Sequence, residues 1–156
     1  WDWRYNPRVA NVVNAFNMGS MLGSSLIFDY IKKHDKNCRV VLSGIGADEI
    51  MARNFFYSLG TGQVDEFPSD LKNVYPWINF FEGSQANYIR GQEYVGGCFN
   101  FETRYPFLDK SVVQEFLNLK SELKNEFDNN KVKPVLSNYL TINKYPFHKT
   151  KLGFNV

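Results

Sequence analysis

Cysteine is scarce in this chain: Cys38 and Cys98 lie far apart and form no CxxC pattern. A disulfide framework or a thiolate zinc site is therefore not expected, and a reducing, cytoplasmic setting is the default. Long apolar runs are also missing. The best candidate, Met18 to Ile31, is broken by glycines, serines and Asp29, well short of a membrane-spanning segment. No basic block is present and the net charge is only +2, so nothing points to a polyanion partner such as nucleic acid. The opening Trp1-Asp2-Trp3-Arg4 has neither the basic start nor the apolar core of a signal peptide. It also lacks an initiator methionine, so a fragment, a processed chain or a trimmed one is expected. Internal repeats, low-complexity segments, a complete G-x-G-x-x-G and a P-loop are all absent.

What the chain does have is apolar and aromatic material. Hydrophobic residues make up 44% of 156 positions, enough for a single domain with a real core. Aromatic residues reach 17%. A stacking platform for nucleic-acid bases would interleave them with basic residues. That interleaving is poor, so the rings are expected in the core.

The most informative stretch is Val40-Val41-Leu42-Ser43-Gly44-Ile45-Gly46-Ala47-Asp48-Glu49. Arg39 to Leu42 suit a buried strand, because β-branched residues fit a pleated surface. Gly44 and Gly46 allow a sharp turn and leave room for a ligand near the backbone. Residues 47–59 then read as a helix carrying Ile50, Met51, Phe55 and Leu59, ending at Gly60-Thr61-Gly62. A strand, a glycine turn and a helix start place a ligand site at the carboxyl end of a sheet strand.

Before this stretch, Val9 to Lys33 has apolar residues at helical spacing, so the order is helix, short loop, strand. After it, Ser69 or Asp70 is expected to cap a short helix. Further helical candidates follow at Trp77 to Glu82 and Ser84 to Tyr94, the second ended by Gly96-Gly97. The segment Asn100 to Tyr105 is extended up to Pro106. Asp109 caps a helix over 110–119 with Val112, Val113, Phe116 and Leu117 inward. Residues 122–130 read as a polar surface excursion. Pro134 opens a last helix with Val135, Leu136, Tyr139 and Leu140 buried.

Several side chains carry chemical possibilities. Ser43 and Gly44 at a strand end suit contacts to a base, ribose or phosphate. Asp48 and Glu49 suit Mg²⁺, which takes carboxylates together with phosphate oxygens; equally, they suit the positive end of a helix dipole and nothing more. Glu102, Arg104 and Asp109 are expected to form a buried salt-bridge cluster that fixes the loop before the helix. Lys151, beside Gly153-Phe154, suits a phosphate or a developing negative charge, or solvent alone.

Taken together, Leu42-Ser43-Gly44-Ile45-Gly46-Ala47-Asp48-Glu49, Glu102-Thr103-Arg104-Tyr105-Pro106-Phe107-Leu108-Asp109 and Lys151-Leu152-Gly153-Phe154 resemble the asparagine synthetase family in order and approximate spacing. That family writes these segments as LSG-x-G-[AS]-DE, E-[AV]-R-x-PFLD and K-x-GF. The resemblance runs from about Val9 to the end and is poor over 60–97. With Ile45 in the first segment, the chain is most similar to the asparagine synthetase domain-containing proteins. The resemblance implies an α/β, helix-rich fold, the C-terminal part of an adenine nucleotide alpha-hydrolase-like (ATP-pyrophosphatase) domain. It implies ATP and Mg²⁺ as cofactors, adenylation of a carboxylate substrate, and attack by ammonia or an amine donor. Ser43 and Gly44 would contact the nucleotide, Asp48 would bind Mg²⁺, and Lys151 would offset charge on the phosphates and the tetrahedral intermediate. Glu49, Glu102, Arg104 and Asp109 would support the site.

Two departures shape the expectation. The family's Ser-Gly-Gly-x-Asp-Ser pyrophosphate loop and its glutamine-hydrolysing domain are not in these residues, so an upstream segment or a partner chain would have to supply that loop. Ile45 replaces an acidic residue or a tyrosine, and an isoleucine takes no proton. The alternatives are a catalytically inactive scaffold or interaction module, and a related enzyme acting on a different acid or on a peptide side chain.

Overall fold

The computed structural model describes residues 19–51, 66–73, 75–76, 80, 83–126 and 133–146. Among the described residues helices dominate, with a small two-stranded parallel sheet, compatible with the expected α/β class. The chain divides into two compact units, broken at Ser43/Gly44, Gln85/Ala86, Pro106/Phe107 and Leu152/Gly153.

The first unit holds helix α1 (Gly19–His34), strand β1 (Val40–Leu42), most of helix α3 (Gly83–Cys98) and strand β2 (Glu102–Arg104). The expected helix over 9–33 is observed from Gly19, and its earlier positions lie outside the described residues. It is followed by a turn at Asp35, whose carboxylate accepts the N–H groups of Asn37 at 3.0 Å and Cys38 at 3.2 Å. That local bonding is how an Asp redirects a chain. Strand β1 pairs parallel with β2 in the register Val40–Glu102, Val41–Thr103, Leu42–Arg104. The Glu102 N–H donates to Arg39 O and the Ser43 N–H to Arg104 O, each at 2.8 Å. The parallel ladder therefore runs one step past each strand end.

The core of this unit is Met21, Phe28, Val95 and Phe101, with Val41, Tyr88 and Phe99 packed against it. The Phe28 and Phe101 rings lie 5.4 Å apart. One sheet face carries Val41 and Thr103 into this core. The other carries Val40, Leu42, Glu102 and Arg104, and all four are exposed. The buried strand expected at 39–42 is thus covered on one face only, with Leu42 69% exposed. Alternation along a strand sends neighbouring residues to opposite faces, so a continuous apolar run does not by itself reveal how many faces are covered.

Helix α3 does not stop at Gly96-Gly97 as expected. It continues to Cys98, and the reversal falls at Asn100, which adopts a left-handed backbone at φ 58°. The N–H groups of Phe99 and Phe101 both donate to Gly96 O at 3.0 Å and tie off the helix end.

The second unit holds helices α2 (Ala47–Met51), α4 (Lys110–Asn118), α5 (Ser121–Lys124) and α6 (Pro134–Ile142). The expected helix over 47–59 is observed as far as Met51; 52–59 lie outside the described residues, as do 77–79 and 81–82 of the candidate at 77–82. Its core is Ile50, Met51, Phe67, Phe80 and Phe116, joined by Phe107, Leu108, Val113, Leu117, Val135 and Leu136. Asn125 fastens the Phe67 backbone to it: the Phe67 N–H donates to Asn125 Oδ1 and Asn125 Nδ2 donates to Phe67 O, each at 2.7 Å. Asp70 accepts the Lys72 N–H at 3.0 Å beside the short 3₁₀ turn Leu71–Asn73.

Three expectations about burial are corrected. Val112 is exposed while Val113, Phe116 and Leu117 face the core, so the apolar stripe of α4 is narrower than its sequence suggests. Tyr139 is 57% exposed and stacks near Tyr145, with ring centroids 6.2 Å apart, while Val135 and Leu136 in the first turn of α6 pack against the core. The polar stretch after 121 is not all surface, because Lys124 is buried. Its Nζ donates to Leu117 O at 3.0 Å and sits 5.4 Å from the Phe116 ring centre. Burial holds its ammonium pKa below the ordinary lysine value. Among the described residues, no helix is long and apolar enough to cross a membrane.

The contact between α3 and β2 is tight at one point. A Cβ added at Gly96 would lie 2.8 Å from Thr103 Cγ2, whereas one at Gly97 would meet nothing within 4 Å. Thr103 is β-branched and cannot swing away freely. Gly96→Ala is therefore expected to destabilise the protein by about 1–3 kcal/mol. Gly97→Ala, one position along, is expected to be neutral or to stabilise by about 0.5 kcal/mol. Urea unfolding of the two variants checks this contrast.

Candidate functional site

The segments that drew attention in the sequence are neighbours within each unit. In the first unit they pair as the parallel strands β1 and β2. In the second, the turn Gly44–Gly46 meets the segment that follows β2. Gly46 has a left-handed backbone at φ 99°, and a Cβ there would collide with the Leu108 side chain, with Phe107 Cβ 3.5 Å away. The sequence places glycine where only glycine both adopts that conformation and leaves space for the packed leucine.

The turn is closed by its own acidic residue. Glu49 is 7% exposed, and its Oε2 accepts the Gly46 N–H at 3.0 Å. Gly46 stands at the N-cap of α2 and Glu49 three residues on, so this is one half of a capping box. The Ala47 N–H donates to Gly44 O at 3.3 Å and the Ile50 N–H to Gly46 O at 3.0 Å, completing the entry into the helix. Glu49 thus has a structural use that does not need a metal.

Asp48 points the other way. Its side chain is 68% exposed, and its Oδ1 accepts a hydrogen bond from the Lys133 Nζ, a charge pair spanning 85 positions. Lys133 stands at the N-cap of α6, directly before the buried Pro134. Nothing in the local pattern singled Lys133 out beyond its place at a helix start.

Glu102 and Arg104, expected in a buried cluster with Asp109, are exposed. Arg104 Nε donates to Glu102 Oε1 at 2.7 Å, but both side chains are 60% exposed. They lie two apart on a strand, on the same face, and that face is open. This bond and the Glu102 charge raise the Arg104 pKa. Asp109 instead caps α4, accepting the Ser111 N–H at 2.8 Å, as its position before the helix predicts. The polar contact that does brace β2 comes from Glu93 on α3. Its Oε1 accepts from Thr103 Oγ1 and, at 2.7 Å, from the Tyr105 hydroxyl. The Tyr105 phenol is held well above its ordinary pKa, first by burial and further by the Glu93 carboxylate, while its bond to Thr103 pulls the other way. Sequence reasoning missed Glu93 because its partners are ten and twelve residues away across a helix–strand turn.

Of the remaining expected site residues, Ser43 donates its N–H to Arg104 O at the carboxyl end of the ladder. Gly44 is exposed, and a Cβ there would meet nothing within 4 Å. Ile45 is partly buried. Lys151 lies outside the described residues.

Among the described residues, no group of three or more His, Cys, Asp or Glu side chains is placed to hold a metal ion. Asp48 is a single carboxylate already bonded to an ammonium, and Glu49 is turned inward to a backbone N–H. As arranged, these residues do not make a Mg²⁺ site. No protein-family model, curated protein or solved structure matches this chain.

Glu49→Ala removes the acceptor of the Gly46 N–H and leaves that donor buried. It is expected to cost about 1–2 kcal/mol. Glu49→Gln keeps an acceptor of the same reach and is expected to cost less than half as much. Thermal and urea unfolding of both variants check the ranking.

Proposed function

We propose that this chain is part of an ATP-dependent amide-forming ligase resembling the asparagine synthetases, with the C-terminal part of an adenine nucleotide alpha-hydrolase-like domain as its fold. The supporting observation is that two segments about sixty positions apart run as parallel strands in register, with the Ser43-Gly44 turn at the carboxyl end of β1. Parallel α/β sheets bind their ligands at that end. In the proposed reaction a carboxylate oxygen attacks the α-phosphorus of ATP and pyrophosphate leaves. Ammonia or an amine then attacks the acyl carbon, AMP leaves, and the nitrogen gives up a proton.

Ser43 and Gly44 contact the nucleotide in this proposal, and Lys151 offsets negative charge on the phosphates and on the tetrahedral intermediate. Asp48 and the nucleotide's phosphates together would hold Mg²⁺, which would offset phosphate charge, because the described residues do not hold it alone. An upstream segment or a partner chain supplies the Ser-Gly-Gly-x-Asp-Ser loop. The cytoplasm is the proposed location, in keeping with only two cysteines set far apart in the sequence without a CxxC pattern.

A second reading is a catalytically inactive scaffold of the same fold. It is favoured by Ile45, which cannot take a proton, and by the ammonium already seated on Asp48. The two readings separate in one experiment. The chain, supplied with the segment carrying the missing loop, is assayed for exchange of labelled pyrophosphate into ATP, with L-aspartate and other amino-acid carboxylates as probes. Calorimetry follows ATP binding in parallel. The ligase reading expects binding and exchange, with Asp48→Asn lowering exchange by about 100-fold. Absence of both ATP binding and exchange contradicts it and leaves the scaffold.

A further inference from the structure

We propose that the outer face of α1, with the loop that follows it, docks on an anionic phospholipid bilayer and lies on its surface without spanning it. The helix has two sides. Met21, Ser25 and Phe28 are buried in the first unit, while Leu26, Ile27 and Tyr30 are exposed, Ile27 to 48% and Tyr30 to 62%. Ile27 and Tyr30 are three apart and Leu26 and Tyr30 four apart, so the three form one patch of helix surface. The His34 ring stacks on the Tyr30 ring, with centroids 3.9 Å apart, and His34 Nδ1 lies 2.8 Å from Tyr30 O. The apolar patch therefore ends in a tyrosine held in place, and tyrosine rings settle at the headgroup level of a bilayer.

Charge selects the occupant. Residues 29–39 hold Lys32, Lys33, Lys36 and Arg39 against Asp29 and Asp35, which matches the +2 of the whole chain. The structure turns these cations outward. Lys33 Nζ covers Asp29 at 2.7 Å, and the lysine side chain is 58% exposed where the aspartate is 16%. The Asp35 carboxylate already accepts the N–H groups of Asn37 and Cys38. Lys36 and Arg39 are exposed and, among the described residues, form no ion pair. Lys32 leans over the Phe101 ring, 5.2 Å from its centre, and adds only to the local potential. A second copy of the same face offers these cations no acid that is not already bonded. A nucleic acid leaves Leu26 and Ile27 without a partner. An anionic bilayer receives both parts, the apolar patch at the acyl-chain boundary and the cations among the headgroups. This surface does not depend on the proposed ligase, and its test contains no nucleotide.

The test is cosedimentation of the full chain with vesicles of phosphatidylcholine alone and of phosphatidylcholine with about 30% phosphatidylserine. Partition onto the serine-containing vesicles is expected to be about tenfold stronger at low salt, with the preference shrinking as salt rises. Lys36→Glu with Arg39→Glu is expected to lower binding to the level seen on phosphatidylcholine alone. Leu26→Ser with Ile27→Ser is expected to weaken binding about tenfold with an unchanged circular dichroism spectrum. If that variant loses helix, Ile27→Thr replaces it and is expected to weaken binding about threefold. Lys110→Glu, a charge reversal at the exposed start of α4, is expected to bind within about twofold of the unaltered protein. Equal binding to both vesicles, or binding to neither, overturns the proposal. Full binding by the folded serine or threonine variant overturns it too, as does full binding by the double glutamate variant or an equal loss in Lys110→Glu. Self-association without vesicles that the serine variant abolishes gives the face to a second copy and likewise overturns it.

Discussion

Gly46 carries a backbone conformation that L side chains rarely adopt, and the volume of its absent Cβ is filled by Leu108. Much of the second unit depends on that one contact. With Leu108 seated, Phe107 and Leu108 join Ile50, Met51 and Phe116 in one apolar cluster. With Gly46 turned to the left, its N–H faces Glu49, and α2 starts with its first donor satisfied. The direction of α2 then sends Ile50 and Met51 inward and Asp48 outward. A left-handed turn, a leucine and a buried carboxylate thus decide where the exposed Asp48 stands.

The first unit repeats the same economy with different forces. Its two strands are short, and a two-stranded sheet alone is marginal in water. Helices α1 and α3 cover the face that carries Val41 and Thr103, and the rings of Phe28 and Phe101 supply much of the apolar area. Polar groups on the covered side are bonded: Ser24 donates to Gln92 at 3.0 Å, and Glu93 receives both Thr103 and Tyr105. Charges on the open side, Glu102 and Arg104, pair in solvent, where an ion pair contributes little. The difference between the faces assigns roles: Glu93 braces the strand, while Glu102 and Arg104 remain available at its surface.

The local parts of this arrangement were legible in the sequence. A β-branched run before a glycine turn gave β1, an aspartate before an amphipathic segment gave the cap of α4, and proline marked the start of α6. Each of these follows from short-range sterics or hydrogen bonding. What could not be read was set by tertiary placement. The Asp48–Lys133 pair joins residues from distant segments, and the exposure of Glu102 and Arg104 follows from a sheet face that is left open. The exposure of Leu42 and Tyr139 has a similar origin: apolar periodicity names a face, but only the neighbours decide whether that face is covered. The functional reading was legible as a resemblance carried by three short segments.

The central claim is that the glycine turn and the Leu108 segment are matched to each other. A double-mutant cycle on Gly46→Ala and Leu108→Ala tests it most directly by urea unfolding. Gly46→Ala alone should cost about 2–4 kcal/mol, from the left-handed backbone and the collision together. Truncating Leu108 removes the collision, so the double variant should be more stable than the sum of the single costs predicts, by about 1 kcal/mol or more. Additivity within about 0.5 kcal/mol would contradict the match and, with it, the meeting of the two segments on which the proposed site is built.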